Sequence, residues 1–243
     1  MRGLRKLEPL RELGREKLKG KKVIAVMSSK GGVGKSVVSA LLSLSLPSST
    51  LIDFDIHTMA VAKLFGVEGL THEVGKEGIK PFKIDNVNLI SLSGVVKGKY
   101  VILPGGNQSS VMEELIAYSS ITTDYVVIDM PPGLGDEVLV LERLTDFQPV
   151  VVTTPSKVSV KVVNHLLSYL KERGKERVYV IVNMAYFKCG NEIVKPFGEF
   201  KGDLELPIDP AIEDYVGRIS EYHGEVRSEI EKFVRREFLN KKG

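Results

Sequence analysis

Residues 28–36 combine glycines, two lysines and serines in the spacing of a phosphate-binding loop. The run reads Ser28-Ser29-Lys30-Gly31-Gly32-Val33-Gly34-Lys35-Ser36. Glycines allow successive backbone N–H groups to point at a polyphosphate, while Lys35 can reach the β and γ oxygens and the Ser36 hydroxyl can hold Mg²⁺. Serine replaces the first glycine of the general GxxxxGK[ST] pattern at position 29. We predict that a nucleotide binds to Gly31, Gly32, Val33, Gly34, Lys35, Ser36 and Val37.

The flanking segments place this loop between a strand and a helix. Val23-Ile24-Ala25-Val26-Met27 precedes it as a short apolar run, and the segment 37–46 has a helical pattern that ends at Pro47. Strand, glycine-rich loop and helix in this order are the context in which such loops bind phosphate. The context therefore favours nucleotide binding over a simple glycine-rich turn.

Acidic residues end two further apolar strands. Asp129 ends the run 125–129, while Asp53 and Asp55 stand at the end of the run 51–55. Open α/β sheets bind ligands at the carboxyl ends of their strands, so the three carboxylates could face one γ-phosphate. A carboxylate beside a phosphate loop can hold Mg²⁺ directly or through water. We therefore predict that Ser36, Asp53 and Asp129 form a magnesium site.

The pattern of apolar runs predicts the fold that must position these groups. Strands are predicted at about 23–27, 50–54, 87–92, 125–129, 149–154 and 177–183, with helical patterns between most of them. This alternation predicts an α/β, doubly wound, mostly parallel sheet with helices on both faces. We divide the chain into an amphipathic N-terminal extension, 1–20, and a single domain, 21–243.

Composition limits the classes of function. A chain of 243 residues with 43% hydrophobic content can bury the core of one large domain. The net charge of +3 gives no case for nucleic-acid binding. No apolar run approaches about 18 residues, and the N-terminus is charged, so we expect a cytoplasmic protein. The single cysteine agrees with that expectation. The four histidines lack the mutual spacing of metal ligands, and we predict no metal other than Mg²⁺.

The loop resembles the signature of the Mrp/MinD group of P-loop ATPases, the deviant Walker A motif Lys-Gly-Gly-x-Gly-Lys-Ser/Thr. The resemblance covers about residues 21–210. It implies a homodimer closed around ATP and Mg²⁺, in which Lys30 reaches the phosphates of the partner, as an arginine finger does. It also implies that Asp55 positions the attacking water and that Asp53 and Asp129 surround Lys35 and Mg²⁺. Hydrolysis would then act as a timer on partner binding.

Three stretches resemble the Mrp branch of this group. They are Pro131-Pro132-Gly133-Leu134-Gly135-Asp136-Glu137, Gly78-Ile79-Lys80-Pro81 and Val182-Asn183-Met184-Ala185-Tyr186-Phe187-Lys188-Cys189. The resemblance implies that Asn183 reads the adenine edge. It also implies that the loop with Pro207, Ile208 and Asp209 lines the base, which favours ATP over GTP.

The chain departs from the Mrp branch at its cysteine. Iron–sulfur carriers of that branch continue into a Cys-x-x-Cys pair, whereas this chain reads Cys189-Gly190-Asn191-Glu192 and has no other cysteine. A bridging cluster typically takes four thiolates, so we expect no stable cluster held by this protein alone. Cys189 is then either a buried relict thiol or a ligand shared across a twofold axis.

The chain resembles a branch of this group that lacks the pair and serves [NiFe]-hydrogenase maturation, HypB of the Mrp/MinD type. The missing pair, the compact length and the amphipathic N-terminal extension carry this resemblance. Our leading interpretation is accordingly an ATPase that assists nickel delivery by a small metallochaperone. Two alternatives are an Mrp-type iron–sulfur cluster carrier and a MinD-like membrane-associated spatial organiser. Metabolic kinase chemistry would need an acceptor site that the sequence does not indicate.

Both ends of the chain are amphipathic and basic. Residues 1–22 hold nine Lys/Arg against three Glu, with leucines three apart at Leu4, Leu7, Leu10 and Leu13. This helix could pack on its own domain or dock the metallochaperone. The C-terminal helix, with Ile230, Phe233, Val234 and Phe238 on one face, could lie on a membrane, but we favour packing on the domain.

Overall fold

A nine-stranded, mostly parallel sheet forms the centre of the molecule. The computed structural model describes residues 4–55, 58–95, 108–133, 135–190 and 192–240. The strand order is β10-β9-β8-β1-β7-β2-β6-β5, with β11 paired in parallel to β9. The strands of this sheet are β1 (Lys22–Met27), β2 (Ser49–Asp53), β5 (Phe82–Ile84), β6 (Val87–Ser91), β7 (Tyr125–Asp129), β8 (Gln148–Thr153), β9 (Tyr179–Cys189), β10 (Glu192–Val194) and β11 (Leu204–Pro207). A separate hairpin joins β3 (Val74–Gly75) to β4 (Gly78–Ile79).

Helices cover both faces of the sheet. They are α1 (Leu4–Leu18), α2 (Lys35–Ser45), α3 (Ala60–Leu64), α4 (Gln108–Ala117), α5 (Asp136–Leu144), α6 (Lys157–Glu172) and α7 (Glu225–Val234). Alternate residues of β1 enter opposite cores: Ile24 and Val26 pack with α2, while Ala25 and Met27 pack with α5. A strand buried on both sides reads as a continuous apolar run, which is the pattern predicted for 23–27. The predicted doubly wound fold is confirmed.

The six predicted strands correspond to β1, β2, β6, β7, β8 and β9. The last of these continues to Cys189, six residues beyond the predicted end at 183. Met184 adopts a left-handed conformation, φ 56°, where the pairing of β9 with β11 changes register. Side-chain periodicity does not reveal such an irregularity, because one residue out of register reverses the faces of all that follow.

The N-terminal helix packs on the domain. Arg11 Nε lies 2.9 Å from Glu113 Oε1 on α4. Gly14 lets the helix approach α4 and α5 closely, since a Cβ there would lie 3.1 Å from Leu144 Cδ2. Leu18 is buried in the same core, whereas Leu13 is 40% exposed. Of the two alternatives for α1, these contacts favour packing on its own domain over docking of a metallochaperone. The side chains of Leu4 and Leu7 lie outside those described.

The C-terminal helix also packs on the domain. Ile230, Phe233 and Val234 are buried in the core that α2 shares with the sheet, and Phe238 makes an edge contact with Tyr179 at 5.5 Å between ring centroids. The apolar face is thus covered by the protein's own residues, which is the alternative that the sequence favoured. Among the described helices, none is long and apolar enough to span a membrane.

Candidate nucleotide-binding site

The glycine-rich loop joins β1 to α2 at the carboxyl edge of the sheet and lines a cavity of about 380 Å³. Gly32 and Gly34 are left-handed, with φ of 77° and 82°, which side chains other than glycine rarely adopt. A Cβ on Gly34 would lie 2.2 Å from Asn183 Nδ2. Lys30 and Lys35 line the same cavity. The predicted phosphate-binding loop therefore has the backbone that its glycines indicated.

Three side chains at the start of α2 contact Asp129. Its Oδ1 lies 2.7 Å from Lys35 Nζ and accepts a hydrogen bond from Ser39 Oγ at 2.6 Å, while its Oδ2 accepts one from Ser36 Oγ at 2.8 Å. Asp129 is fully buried and Lys35 is 6% exposed. A buried ion pair persists only when further hydrogen bonds satisfy its partners, and the two serines supply them. The structure thus joins Lys35, Ser36 and Asp129 in one contact network.

Asp53 lies beside Asp129, because the two residues pair in register across β2 and β7. Its Oδ1 accepts from the Asp55 amide at 3.0 Å, and its Oδ2 accepts from Ser91 Oγ at 3.3 Å. Burial raises the pKa of Asp53 well above its ordinary value, and repulsion from Asp129 adds to that shift while Lys35 opposes it. This edge of the sheet therefore places two buried carboxyl groups, Asp53 and Asp129, beside Lys35.

Asp55 faces the phosphate-loop cavity. Its side chain is buried, and its Oδ1 accepts a hydrogen bond from the Thr58 amide at 3.2 Å. Thr58 and Pro132 line the cavity with it. Asp55 and the phosphate loop therefore line the same cavity. The neighbouring His57 lies outside the described residues.

Lys30 differs from Lys35 in its surroundings. It is partly exposed at the cavity, and no ion pair holds it within the described ranges of the chain. Lys35, in contrast, is buried against Asp129. The two lysines of the signature thus have distinct environments: Lys35 is buried against Asp129, and Lys30 is partly exposed at the cavity.

The predicted base-binding residues fall in two places. Asn183 Nδ2 donates to the Val33 carbonyl at 2.9 Å, which ties the end of β9 to the phosphate loop. Pro207, Ile208 and Asp209 line a different cavity of about 570 Å³ beside Phe187. Asp209 is occupied by the Ala211 amide and the Tyr222 hydroxyl. The structure brings Asn183 to the loop but not the other three.

The residues at this edge fit a magnesium ion. Mg²⁺ keeps several waters and is typically held by one or two protein oxygens together with substrate phosphates. Ser36 Oγ and Asp129 Oδ2 are 2.8 Å apart, and the buried carboxyl group of Asp53 lies beside Asp129. Where the chain is described, no three His, Cys, Asp or Glu residues gather closely enough to hold a metal unaided. Nucleotide phosphates would complete such a site.

A larger cavity of about 930 Å³ lies at the opposite, amino edge of the sheet. It runs between the end of α1 and the start of β8, with Phe147 and Phe238 among its lining residues. None of the motif residues reaches it. We therefore assign the site by its chemistry rather than by cavity size.

Three polar residues at this edge had no role predicted from the sequence. Ser39 bonds Asp129 from one helical turn beyond Lys35, a spacing that could have indicated it. Ser91 reaches Asp53 only because β6 pairs with β2 in register, which no local pattern shows. Ser28 lines the cavity, and its buried hydroxyl has no hydrogen-bond partner among the described residues. All three are short polar residues at strand ends or in the first turns of α2.

Cys189 is exposed at the end of β9, so the interpretation of a buried relict thiol is wrong. The strand extends past the sheet into a hairpin with β10, which carries the thiol to the surface. The residues before Cys189 are also accessible, since Phe187 is only partly buried and Lys188 is exposed.

The fold and this loop define a P-loop NTPase. Residues 19–206 match the ParA family model described as "NUBPL iron-transfer P-loop NTPase", and the chain belongs to that family. The resemblance to the Mrp/MinD group is thereby confirmed at the level of family and fold.

Relatives of the chain carry names from iron–sulfur cluster biology. The "Iron-sulfur cluster carrier protein" of Saccharolobus solfataricus is 32% identical over 78% of this chain and 72% of its own length. The human "Cytosolic Fe-S cluster assembly factor NUBP2" is 29% identical over 78% of this chain and 80% of its own length. The chain spans 57% and 54% of the length of the carriers from Rickettsia typhi and Rickettsia prowazekii.

Solved structures support the same fold. A nucleotide-binding protein from Archaeoglobus fulgidus, solved in complex with ADP, is 29% identical with a TM-score of 0.76, over 90% of this chain and 96% of its own. The cell-division ATPase MinD of Pyrococcus furiosus is 20% identical with a TM-score of 0.60, and the match covers 88% of this chain and 97% of the MinD chain. At that identity the second likeness concerns the fold alone.

Proposed function

We propose that this protein is a magnesium-dependent ATPase that acts as a dimeric switch in iron–sulfur cluster assembly. One observation carries the enzymatic part: Lys35, Ser36 and Ser39 converge on the buried Asp129 beside a glycine loop with the required left-handed backbone. This arrangement supports phosphate binding and metal binding at one edge. Bound Mg²⁺ would neutralise charge that develops on the phosphates. The chain's own groups would bind the phosphates, orient the attacking water and exclude other water from the site.

Each residue has a proposed role in hydrolysis. Lys35 and the loop amides bind the phosphates, Ser36 and Asp129 hold the cation, and Asp53 supports it electrostatically. Asp55 orients the attacking water from the cavity wall. Lys30 adds positive charge to the transition state of a second copy, which agrees with its partly exposed, unpaired position in the described part of the chain.

The relatives favour iron–sulfur cargo over nickel. The carrier from S. solfataricus and human NUBP2 match most of this chain. They back the alternative of an iron–sulfur carrier rather than the leading interpretation of nickel delivery in hydrogenase maturation. The docking of a metallochaperone through α1 also loses its motivation, because that helix packs on α4 and α5. A cytosolic location is proposed from the name of the human relative.

Cysteine content limits how this protein can handle a cluster. The chain has one cysteine, whereas a [4Fe–4S] cluster typically takes four thiolates. Two copies could supply two thiolates, so the remaining ligands must come from another protein or a small thiol. We therefore propose that the ATPase cycle acts on a cluster held jointly with a partner.

Metal analysis of an ATP-bound form tests the proposal. Asp55→Ala should bind ATP but turn over slowly, whereas Lys35→Ala should bind nucleotide poorly. Each tagged variant would be purified without oxygen from its native cells, and iron, nickel and acid-labile sulfide would be measured in the eluate. We expect iron and sulfide to be enriched with Asp55→Ala relative to Lys35→Ala. Enrichment of nickel without sulfide would sink the iron–sulfur proposal.

A further inference from the structure

A buried histidine outside the phosphate loop contacts the strand that supports Asp53. His72 lies between α3 and the β3–β4 hairpin and is 6% exposed. The Ser91 amide lies 3.1 Å from its Nε2, and the Lys80 carbonyl lies 2.9 Å from its Nδ1. One imidazole therefore joins the end of β6 to the segment that follows β4.

Donor and acceptor chemistry determines the state of this ring. The Lys80 carbonyl can only accept, so Nδ1–H donates to it. Nε2 lies 3.1 Å from both the amide and the carbonyl of Ser91, and in the neutral ring it accepts from the amide. This assignment requires neutral imidazole. Burial lowers the pKa of His72, although its contacts with the carbonyls of Lys80 and Ser91 oppose that shift. The ring is thus held in one tautomer by its two backbone partners.

Packing fixes the orientation of the ring as well. His72 stacks on Phe82 with 4.0 Å between centroids and 26° between planes. A Cβ on Gly94 would lie 2.5 Å from His72 Cδ2, so glycine is the residue that allows the ring its place. The His72 amide also donates to the Gly94 carbonyl at 2.8 Å. Three segments therefore meet at this side chain.

Ser91 connects the His72 ring to Asp53. The two residues pair in register across β2 and β6, and Ser91 Oγ lies 3.3 Å from Asp53 Oδ2. Ser93 also contacts that hydroxyl, through its own Oγ at 3.1 Å and its amide at 3.3 Å. The other oxygen of Asp53 accepts from the Asp55 amide. Both carboxylate oxygens thus have oriented donors.

We propose that His72 is a positioning residue for the metal site: by accepting the Ser91 amide it fixes the hydroxyl that orients Asp53. This inference rests on the proposed magnesium-dependent nucleotide chemistry. Removal of a residue that orients the groups around a metal typically weakens metal binding by about 10–100-fold. His72 and Ser91 would therefore set how much Mg²⁺ the protein needs.

The test measures Mg²⁺ dependence of nucleotide affinity, using a fluorescent ATP analogue titrated at a series of Mg²⁺ concentrations. His72→Phe keeps a ring against Phe82 but removes both nitrogens, and Ser91→Ala removes only the hydroxyl. We expect each to raise the Mg²⁺ concentration for half-maximal binding about tenfold, with Mg²⁺-free affinity unchanged. His72→Gln, whose amide oxygen can accept from Ser91, should restore part of the loss.

A matched control separates positioning from stability. Phe82→Leu removes the aromatic stack but keeps the imidazole and its two backbone contacts, so it should lower the unfolding temperature while raising the Mg²⁺ requirement less than His72→Phe does. Should His72→Phe fail to fold, Ser91→Ala decides alone. A wild-type Mg²⁺ dependence in Ser91→Ala overturns the inference. Absence of hydrolysis in a wild-type protein that binds Mg²⁺ and nucleotide would instead contradict the proposed ATPase.

Discussion

At the scale of residues, the site consists of one lysine among several carboxylates. Asp129 pairs with Lys35, and Asp53 stands beside them with a pKa that burial raises. Such clusters at the carboxyl edge of a parallel sheet are typical of functional sites, because they cost stability that a bound ligand recovers. The same electrostatics govern how substitutions there should behave.

Removing the charge of Asp129 should destabilise the nucleotide-free protein. Asp129→Ala leaves Lys35 buried without its partner, which typically costs about 3–5 kcal/mol. We expect about 3 kcal/mol, at the lower end, because relief of repulsion on Asp53 offsets part of the loss. Urea unfolding measures the change. The double substitution Lys35→Met, Asp129→Leu should recover most of the stability; a double variant no more stable than the single one contradicts the account.

Gly34 should be intolerant of any side chain, unlike its neighbour Gly31. A Cβ at Gly34 meets Asn183 Nδ2 at 2.2 Å and requires a left-handed backbone, whereas nothing lies within 4 Å of a Cβ at Gly31. Without nucleotide, Gly34→Ala should lower the free energy of unfolding by about 1–3 kcal/mol. Gly31→Ala should leave it nearly unchanged. Equal losses in the two variants would show that loop strain is not the cause.

Some residues of the site could be predicted from the sequence and others could not. The loop, Asp53, Asp55 and Asp129 could be identified because glycine spacing and strand-end acids are local patterns. Ser91 could not, since its contact with Asp53 depends on the register of β6 against β2. The hydrogen bonds that Asp209 accepts from the Ala211 amide and the Tyr222 hydroxyl could not be predicted either. Contacts across strands lie beyond what periodicity can indicate.

At the scale of elements, long buried strands were predictable and short ones were not. The strands at the centre of the sheet are continuous apolar runs, because helices cover both of their faces. The two-residue strands β3 and β4 have no alternation to detect. The docking of α1 was also open, since an amphipathic pattern does not say which surface the apolar side meets.

The ion pair that fixes α1 gives an element-scale prediction. Glu113 is buried, its Oε1 pairs with Arg11, and its Oε2 has no partner in the described ranges. Arg11→Ala should therefore cost about 2–3 kcal/mol and speed proteolytic cleavage within α1. Lys19→Ala, at an exposed pair with Glu16, should change stability by less than about 0.5 kcal/mol. Unchanged proteolysis of Arg11→Ala would mean that the leucines alone hold the helix.

The neutral state of His72 gives a prediction about pH. Its folded-state pKa is lowered from 6.5, so the unfolded chain binds the proton more tightly. The contribution of His72 is complete above about pH 6.5 and decreases as pH falls toward the folded-state value. Asp53 has the opposite sign, because its raised pKa favours the folded state at low pH. Stability curves of wild type and His72→Phe should therefore converge as the pH falls from 7.5 to 5.5.

At the scale of the whole molecule, the proposed function requires two copies. Lys30 stands at the rim of its own phosphate cavity and Asp55 inside it. If Lys30 acts on the partner's nucleotide, each active site contains Asp55 from one subunit and Lys30 from the other. Neither composition nor periodicity could predict this arrangement, which came from the family resemblance.

Complementation between two inactive variants tests this account most directly. Lys30→Ala and Asp55→Ala should each hydrolyse ATP poorly, for different reasons. Mixed in equal amounts, half of the dimers combine the two variants, and one of the two sites in each then has both groups. Steady-state ATP hydrolysis in Mg²⁺ should recover to about a quarter of the wild-type rate. A mixture no more active than its components would contradict a lysine that acts across the dimer.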